Sequence, residues 1–156
     1  MLIAMTDQDF AELVAGKAPR DLRLPDSDLA PKEVIAMLRD LARSIAADFE
    51  PAAWMMVEGS EIIGLCSLVS PPADRQMRIG YGVAPTRGRQ GAATRAVADL
   101  VTWARADGRI DAIGAETGAD NLPSQKVLVR NGFHEVGRRT DPEDGALICW
   151  TVSTGS

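Results

Sequence analysis

The spacing of apolar residues changes period several times along the chain, and each change marks an element. Leu2 to Met5 is a short apolar run suited to an edge strand. Thr6 stands three residues before Asp9, as in a capping box with a shortened acid, and Phe10, Leu13 and Val14 give the helix that follows one apolar face before Gly16. Lys17 to Ala30 mixes Pro, Asp and Arg without a period and reads as a loop. Pro31 suits a first helical turn, and Val34, Leu38, Leu41, Ile45 and Phe49 then form a helical stripe through about Asp48. After Pro51 the period shortens to two. Ala53–Val57 and Ile62–Val69 flank Glu58-Gly59-Ser60-Glu61, which predicts a hairpin.

Ile79, Tyr81 and Val83 alternate with Gly80 and Gly82, giving a third antiparallel strand that Pro85 ends because proline has no N–H for the ladder. From about Ala92 the period is helical again: Ala93, Val97, Leu100, Val101 and Ala104 share a stripe, and Gly108 falls where a C′ glycine is expected. Ile110–Thr117 reads as a strand reached through that helix. A strand–helix–strand run of this length is a crossover, so its two strands should be parallel. Asp120 or Asn121 caps a short helix ending at Arg130 and Asn131-Gly132, and Phe133–Arg139 and Ala146–Val152 are the last strands. The expected order is β-α-α-β-β-β-α-β-α-β-β, an α/β single domain over residues 1–156 with a sheet of mixed direction.

Charge narrows the chemistry. The chain has 156 residues and a formal net charge of −5, which argues against general nucleic-acid binding. Arg75, Arg78, Arg87, Arg89, Arg95 and Arg105 nevertheless gather in its middle and suggest one local anion site. Cys66 and Cys149 lie in apolar runs and read as buried thiols, with a disulfide or reactive thiol the alternative. A single histidine, His134, cannot assemble a histidine metal site, so no metal is expected, and a Ser-His-Asp triad is not expected either. No apolar run approaches a membrane span and no leader pattern opens the chain, which implies a cytoplasmic protein without a membrane partner.

The stretch from Arg78 to Ala98 joins a strand to a helix through Arg87-Gly88-Arg89-Gln90-Gly91, a turn suited to holding an anion at a helix N-terminus. It has neither the Walker A pattern nor the G-x-G-x-x-G spacing, and an ordinary tight turn with surface arginines is the alternative. Gly80 and Gly82 remove side chains from one face of the preceding strand, so a ligand can approach its backbone. A second element, N-L-P-S-Q-K-V-L-V-R-N-G-F, runs from Asn121 to Phe133.

Together these two elements resemble the GNAT superfamily of N-acetyltransferases, and within it the branch of ribosomal-protein N-terminal acetyltransferases. The resemblance spans roughly Ala53 to Val152 plus the two helices before it. Aligned on Gly91 and Ala93, the family's [QR]-x-x-G-x-[GA] loop meets Gly88 where a cation is expected, with Arg87 one residue early and Arg89 one late. The later motif matches at Asn121, Ser124, Val127, Arg130, Gly132 and Phe133 when its spacing is relaxed by one position. The resemblance implies two splayed parallel strands admitting acetyl-CoA. Gly82 and Val83 would pair with the pantetheine arm, and residues Arg87, Gly88, Arg89, Gln90, Gly91, Ala92, Ala93 and Thr94 would cradle the pyrophosphate. Asn121, Ser124 and Arg130 would line the cofactor's other side.

Acetyl transfer to an amine needs a neutral nucleophile, an oxyanion donor and a proton for the departing thiolate. Leu128 falls where the family often has its tyrosine acid, and Arg78 where it often has a glutamate base. The catalytic candidates are therefore Tyr81, Ser124 and Glu116, the last acting through water, with proton loss to solvent as the alternative. Carboxylates in the loops Lys17–Ala30 (Asp21, Asp26, Asp28) and Thr140–Gly145 (Asp141, Glu143, Asp144) suit a cationic acceptor, and Trp54 is either core or a wall of the acceptor pocket. The expected function is acetyl transfer to a primary amine, either a protein N-terminus or a small molecule, with a homodimer compatible. A catalytically weak acyl-CoA sensor on the same fold is the competing reading.

Overall fold

The computed structural model describes residues 1–84 and 91–155. Its elements follow the expected order: β1 (Leu2–Ala4), α1 (Asp7–Val14), α2 (Lys32–Ala46), β2 (Ala53–Glu58), β3 (Glu61–Leu68), β4 (Gln76–Val83), α3 (Ala92–Ala106), β5 (Ala112–Gly118), α4 (Leu122–Arg130), β6 (His134–Asp141) and β7 (Gly145–Ser153). The strands form one seven-stranded sheet in the order β1-β2-β3-β4-β5-β7-β6. Every neighbouring pair is antiparallel except β4 with β5. The α3 crossover dictates that exception, since a strand that returns through a helix re-enters the sheet in its starting direction.

The local signals act as written. Thr6 accepts from the Asp9 N–H while the Asp9 carboxylate accepts from the Thr6 N–H, completing the capping box of α1. Gly16 follows with φ +78. Boundaries differ where the chain needed a different cap. Pro31 is the N-cap of α2 rather than a residue of its first turn, and the helix stops at Ala46, so Phe49 packs from beyond its end. Gly108 is not among the left-handed glycines; α3 ends because Asp107 turns extended and its carboxylate takes the Arg109 N–H at 2.9 Å. β5 accordingly begins at Ala112, later than Ile110.

The two faces of the sheet are filled differently. On one, Trp54 packs edge-on against Trp103 of α3 with centroids 5.4 Å apart, and Val97, Leu100 and Ala104 lie fully buried along the same helix. On the other, α2 covers β3 through Ile35, Ala42 and Ile45. Gly64 in β3 marks where the sheet closes most tightly: a Cβ there would sit 2.5 Å from the Gly82 carbonyl oxygen and 2.9 Å from the Met56 sulfur. Only glycine admits that approach, next to the register shift at Met56/Val57. Among the described residues no helix is long and apolar enough to cross a membrane.

Candidate functional site

The site begins where pairing stops. β4 and β5 share a register from Gln76↔Ala112 to Ile79↔Ala115, and no pairing between them continues past that point. On its other side β4 stays bonded to β3 as far as Gly64↔Val83. The β5-facing backbone of Gly80–Val83 is thus an open edge, able to take an extended ligand as an added strand. A Cβ at Gly82 would meet no atom within 4 Å, so the strand is also open on that face.

Helix termini converge on the opening. Gly91, the N-cap of α3, is left-handed (φ +70) and has no side chain to satisfy the first turn at Ala92, Ala93 and Thr94. That leaves the positive end of α3 to backbone N–H groups alone, a setting that favours an anion. Arg87, Gly88, Arg89 and Gln90, expected to complete the cradle, lie outside the described residues. Asn131 ties α4 to this turn by donating to the Thr94 carbonyl at 3.2 Å. Asn121 caps α4 by accepting the Ser124 N–H at 3.3 Å, while Arg130 lies exposed in the last turn of the same helix, away from that cap.

Tyr81 bridges the opening. Its hydroxyl donates to the Ser124 carbonyl at 3.3 Å, carrying a phenol from β4 to the first turn of α4. Burial pushes the Tyr81 phenol up to about 12, against the opposing effect of the bond to Ser124. The group therefore keeps its proton at neutral pH.

Glu116, on β5 beyond the last paired residue, is enclosed by cations. Arg139 engages both its oxygens, at 2.8 Å for Oε1, and Arg78 approaches Oε1 at 3.3 Å. The Arg139 hydrogen bonds hold the Glu116 carboxyl below the usual range, with further help from the Cys149 thiol at 3.5 Å and Arg78, despite partial burial. Such a carboxylate is ionised at neutral pH and has little appetite for a proton. The thiols are equally constrained: burial pushes Cys66 up to about 12, and burial together with the charge on Glu116 raises Cys149.

A cavity of about 320 Å³ lies on the α2 side of β4. Val34, Leu38 and Leu41 of α2 face Gly80 and Gly82 across it, and Leu29 and Ala30 close one end. It exists because both glycines leave that face bare. Ser67 and Tyr81 are the hydroxyl residues along it, and the Ser67 hydroxyl donates to the Leu68 carbonyl.

The family model for the acetyltransferase (GNAT) domain matches residues 1–134. The chain belongs to the GNAT acetyltransferase family. A search among curated proteins finds no match. Solved structures share the fold at low identity. A spermidine N-acetyltransferase chimera from Vibrio cholerae aligns with TM-score 0.72 and 15% identity, covering 99% of this chain and 95% of the other. A GNAT-family acetyltransferase from Streptococcus pneumoniae gives 0.69 and 13%, covering 98% of each. The aminoglycoside acetyltransferase AAC(6′)-Ib, solved with coenzyme A, gives 0.68 and 19%, covering 98% and 94%.

As a GNAT domain, the chain has the splayed strands its motifs imply. The residues expected on the acceptor side are placed as follows. Asp26 and Asp28 border an adjoining depression with Leu13 and Lys32, which shares Leu29 and Ala30 with the cavity, and Asp21 lines neither. Asp141 is held by its own turn, accepting from the Glu143 and Asp144 N–H groups at 2.8 and 3.0 Å, and Glu143 and Asp144 do not line the glycine cavity. Trp54 is 3% exposed against Trp103 and is core rather than acceptor wall. The sequence reading missed the Arg78–Glu116–Arg139 cluster and the apolar cavity. The first joins residues from three strands. The second was half visible in the α2 stripe and the two glycines, but nothing in the sequence says that they face each other.

Proposed function

We propose that this GNAT domain transfers an acetyl group from acetyl-CoA directly to a primary amine, on a small molecule or a protein N-terminus. The observation that carries the reading is the β4–β5 opening, with an unpaired backbone edge on β4 and Tyr81 reaching across to the first turn of α4. Acetyl-CoA supplies a thioester whose C–S bond breaks as the amine nitrogen bonds to the acetyl carbon. Gly82 and Val83 hold the extended arm through their backbone, and one N–H in this stretch stabilises the developing oxyanion. Gly91, Ala92, Ala93 and Thr94 receive the pyrophosphate, together with Arg87, Gly88, Arg89 and Gln90. Asn121, Ser124 and Arg130 flank the cofactor from α4.

Tyr81 gives its proton to the departing thiolate. Its phenol stays protonated and reaches α4, where the family's acid often originates, although it starts from β4. Glu116 accepts the amine's proton through water only weakly, since Arg139 and Arg78 stabilise its anion. The raised thiols of Cys66 and Cys149 support direct attack over a covalent acyl-enzyme, because a nucleophilic cysteine must ionise.

The ion-paired state of Glu116 also supports the second reading, an acyl-CoA sensor with feeble transfer. Thiol release from acetyl-CoA in the presence of amines and peptides tests both. Acceptor-dependent release supports the enzyme. A thermal shift with CoA but no release supports the sensor, and neither signal would exclude both.

A further inference from the structure

We infer that the acceptor is a primary amine carried next to an apolar group, and that this domain discriminates against polycationic amines. The inference rests on the N-acetyltransferase reading and specifies its acceptor. The cavity beside β4 shares Gly80–Val83 with the strand edge that receives the thioester, so a molecule filling it presents its amine at the acetyl carbon. At about 320 Å³ it lies at the small end of ligand pockets, typically ~300–1,000 Å³, and fits one ring or one aliphatic side chain.

Charge decides the class. A polyamine or aminoglycoside needs carboxylates to replace the water around its several ammonium groups. Among the described residues lining the cavity there is no Asp, Glu, Lys or Arg. Glu116, the nearby carboxylate of the open strand, is already committed to Arg139 and Arg78. Asp26 and Asp28 line the adjoining depression, beyond the shared Leu29 and Ala30, and not the cavity itself. Val34 and Val69 line the cavity yet remain 37% and 44% exposed, so apolar surface is left uncovered at its mouth. An apolar wall also disfavours the ammonium form of an entering amine and so promotes the neutral nucleophile without a strong base.

The test compares kcat/KM for 2-phenylethylamine, the peptide Leu-Gly-Gly, spermidine and kanamycin, with acetyl-CoA saturating. A value at least tenfold higher for 2-phenylethylamine or Leu-Gly-Gly than for both polycations supports the inference. The first of these arms identifies a free amine, and the second a hydrophobic N-terminus. Turnover of spermidine or kanamycin at an equal or higher value overturns the inference and leaves the N-acetyltransferase reading standing. No turnover of any acceptor overturns both.

Two variants locate the effect. A Cβ at Gly80 would lie 3.5 Å from the nearest atom, a Val69 methyl carbon, so Gly80→Leu fills the cavity without a backbone clash. It should lower kcat/KM for the favoured acceptor at least tenfold while the CoA thermal shift is kept. Val34→Glu, on the partly exposed face of α2, should move preference toward spermidine, and Val34→Met should not. Wild-type acceptor kinetics in both Gly80→Leu and Val34→Glu would remove the cavity from acceptor binding.

Discussion

Tyr81 and Glu116 both stand at the opening, but their surroundings push them toward opposite uses. Burial holds the Tyr81 proton in place, whereas Arg139 strips Glu116 of basicity. If Tyr81 supplies the proton, its raised pKa places it at the weak end of positioned acids, and Tyr81→Phe should lower kcat by about 10²-fold with KM for acetyl-CoA little changed. Steady-state kinetics at saturating acetyl-CoA checks this, and an unchanged kcat would remove Tyr81 from the chemistry. Because the phenol titrates at about 12, Tyr81 should impose no alkaline limb below that value on the pH–rate profile. Glu116→Gln should cost less than about tenfold, since a carboxylate of lowered pKa is a weak base.

The same pair makes a stability prediction. Glu116 has a folded pKa below its unfolded value, so its contribution is present above the ordinary carboxylate range and disappears as pH falls through the lowered value. Arg139→Ala should lower Tm at neutral pH and lose that deficit in strong acid. The guanidinium is 47% exposed, so solvent screening keeps the effect within about 1 kcal/mol, or ~2–4 °C. Thermal melts across pH decide it. A deficit that grows in acid would contradict the assignment.

At the scale of elements, the α3 N-terminus permits a controlled comparison. Gly91→Asn and Gly91→Asp are close in size, carry the same left-handed strain, and bring a Cβ to 3.2 Å from the guanidinium of Arg95, which is paired with Glu58. They differ mainly by one negative charge. The Asp variant should bind CoA at least ~10-fold more weakly than the Asn variant, equivalent to about 1.4 kcal/mol, as measured by calorimetry. Equal affinities would separate this turn from the pyrophosphate. Elements were also what the sequence disclosed most fully: the Ile79–Tyr81–Val83 alternation gave β4, and the Thr6 box gave α1. The α2 stripe was legible as apolar but not as pocket lining. Periodicity reports that a face avoids water, and a protein core and a ligand satisfy that demand equally well. The ion pairs of Glu116 are not legible in the sequence for a related reason: Arg78 and Arg139 are far from it in the chain, and their approach is a product of strand order.

Across the whole molecule, β1–β4 and β5–β7 are each antiparallel ladders, and α3 lies under both. Leu100 is fully buried in that helix, where Leu100→Ala should cost ~2–5 kcal/mol by leaving a cavity. Denaturant titration should show the loss in the whole cooperative transition rather than in one half. The four paired positions from Gln76↔Ala112 to Ile79↔Ala115 have a mechanical consequence as well. Tension applied between β2 and β7 crosses the β2–β3, β3–β4, β4–β5 and β5–β7 contacts, and of these the parallel one has the fewest paired positions. With so few rungs to share the load, it is where a stretched molecule should rupture first, leaving two ladders held together by α3. A cross-link between β4 and β5 beside Gln76 and Ala112 should raise the rupture force in single-molecule pulling, whereas one between β6 and β7 should leave it unchanged.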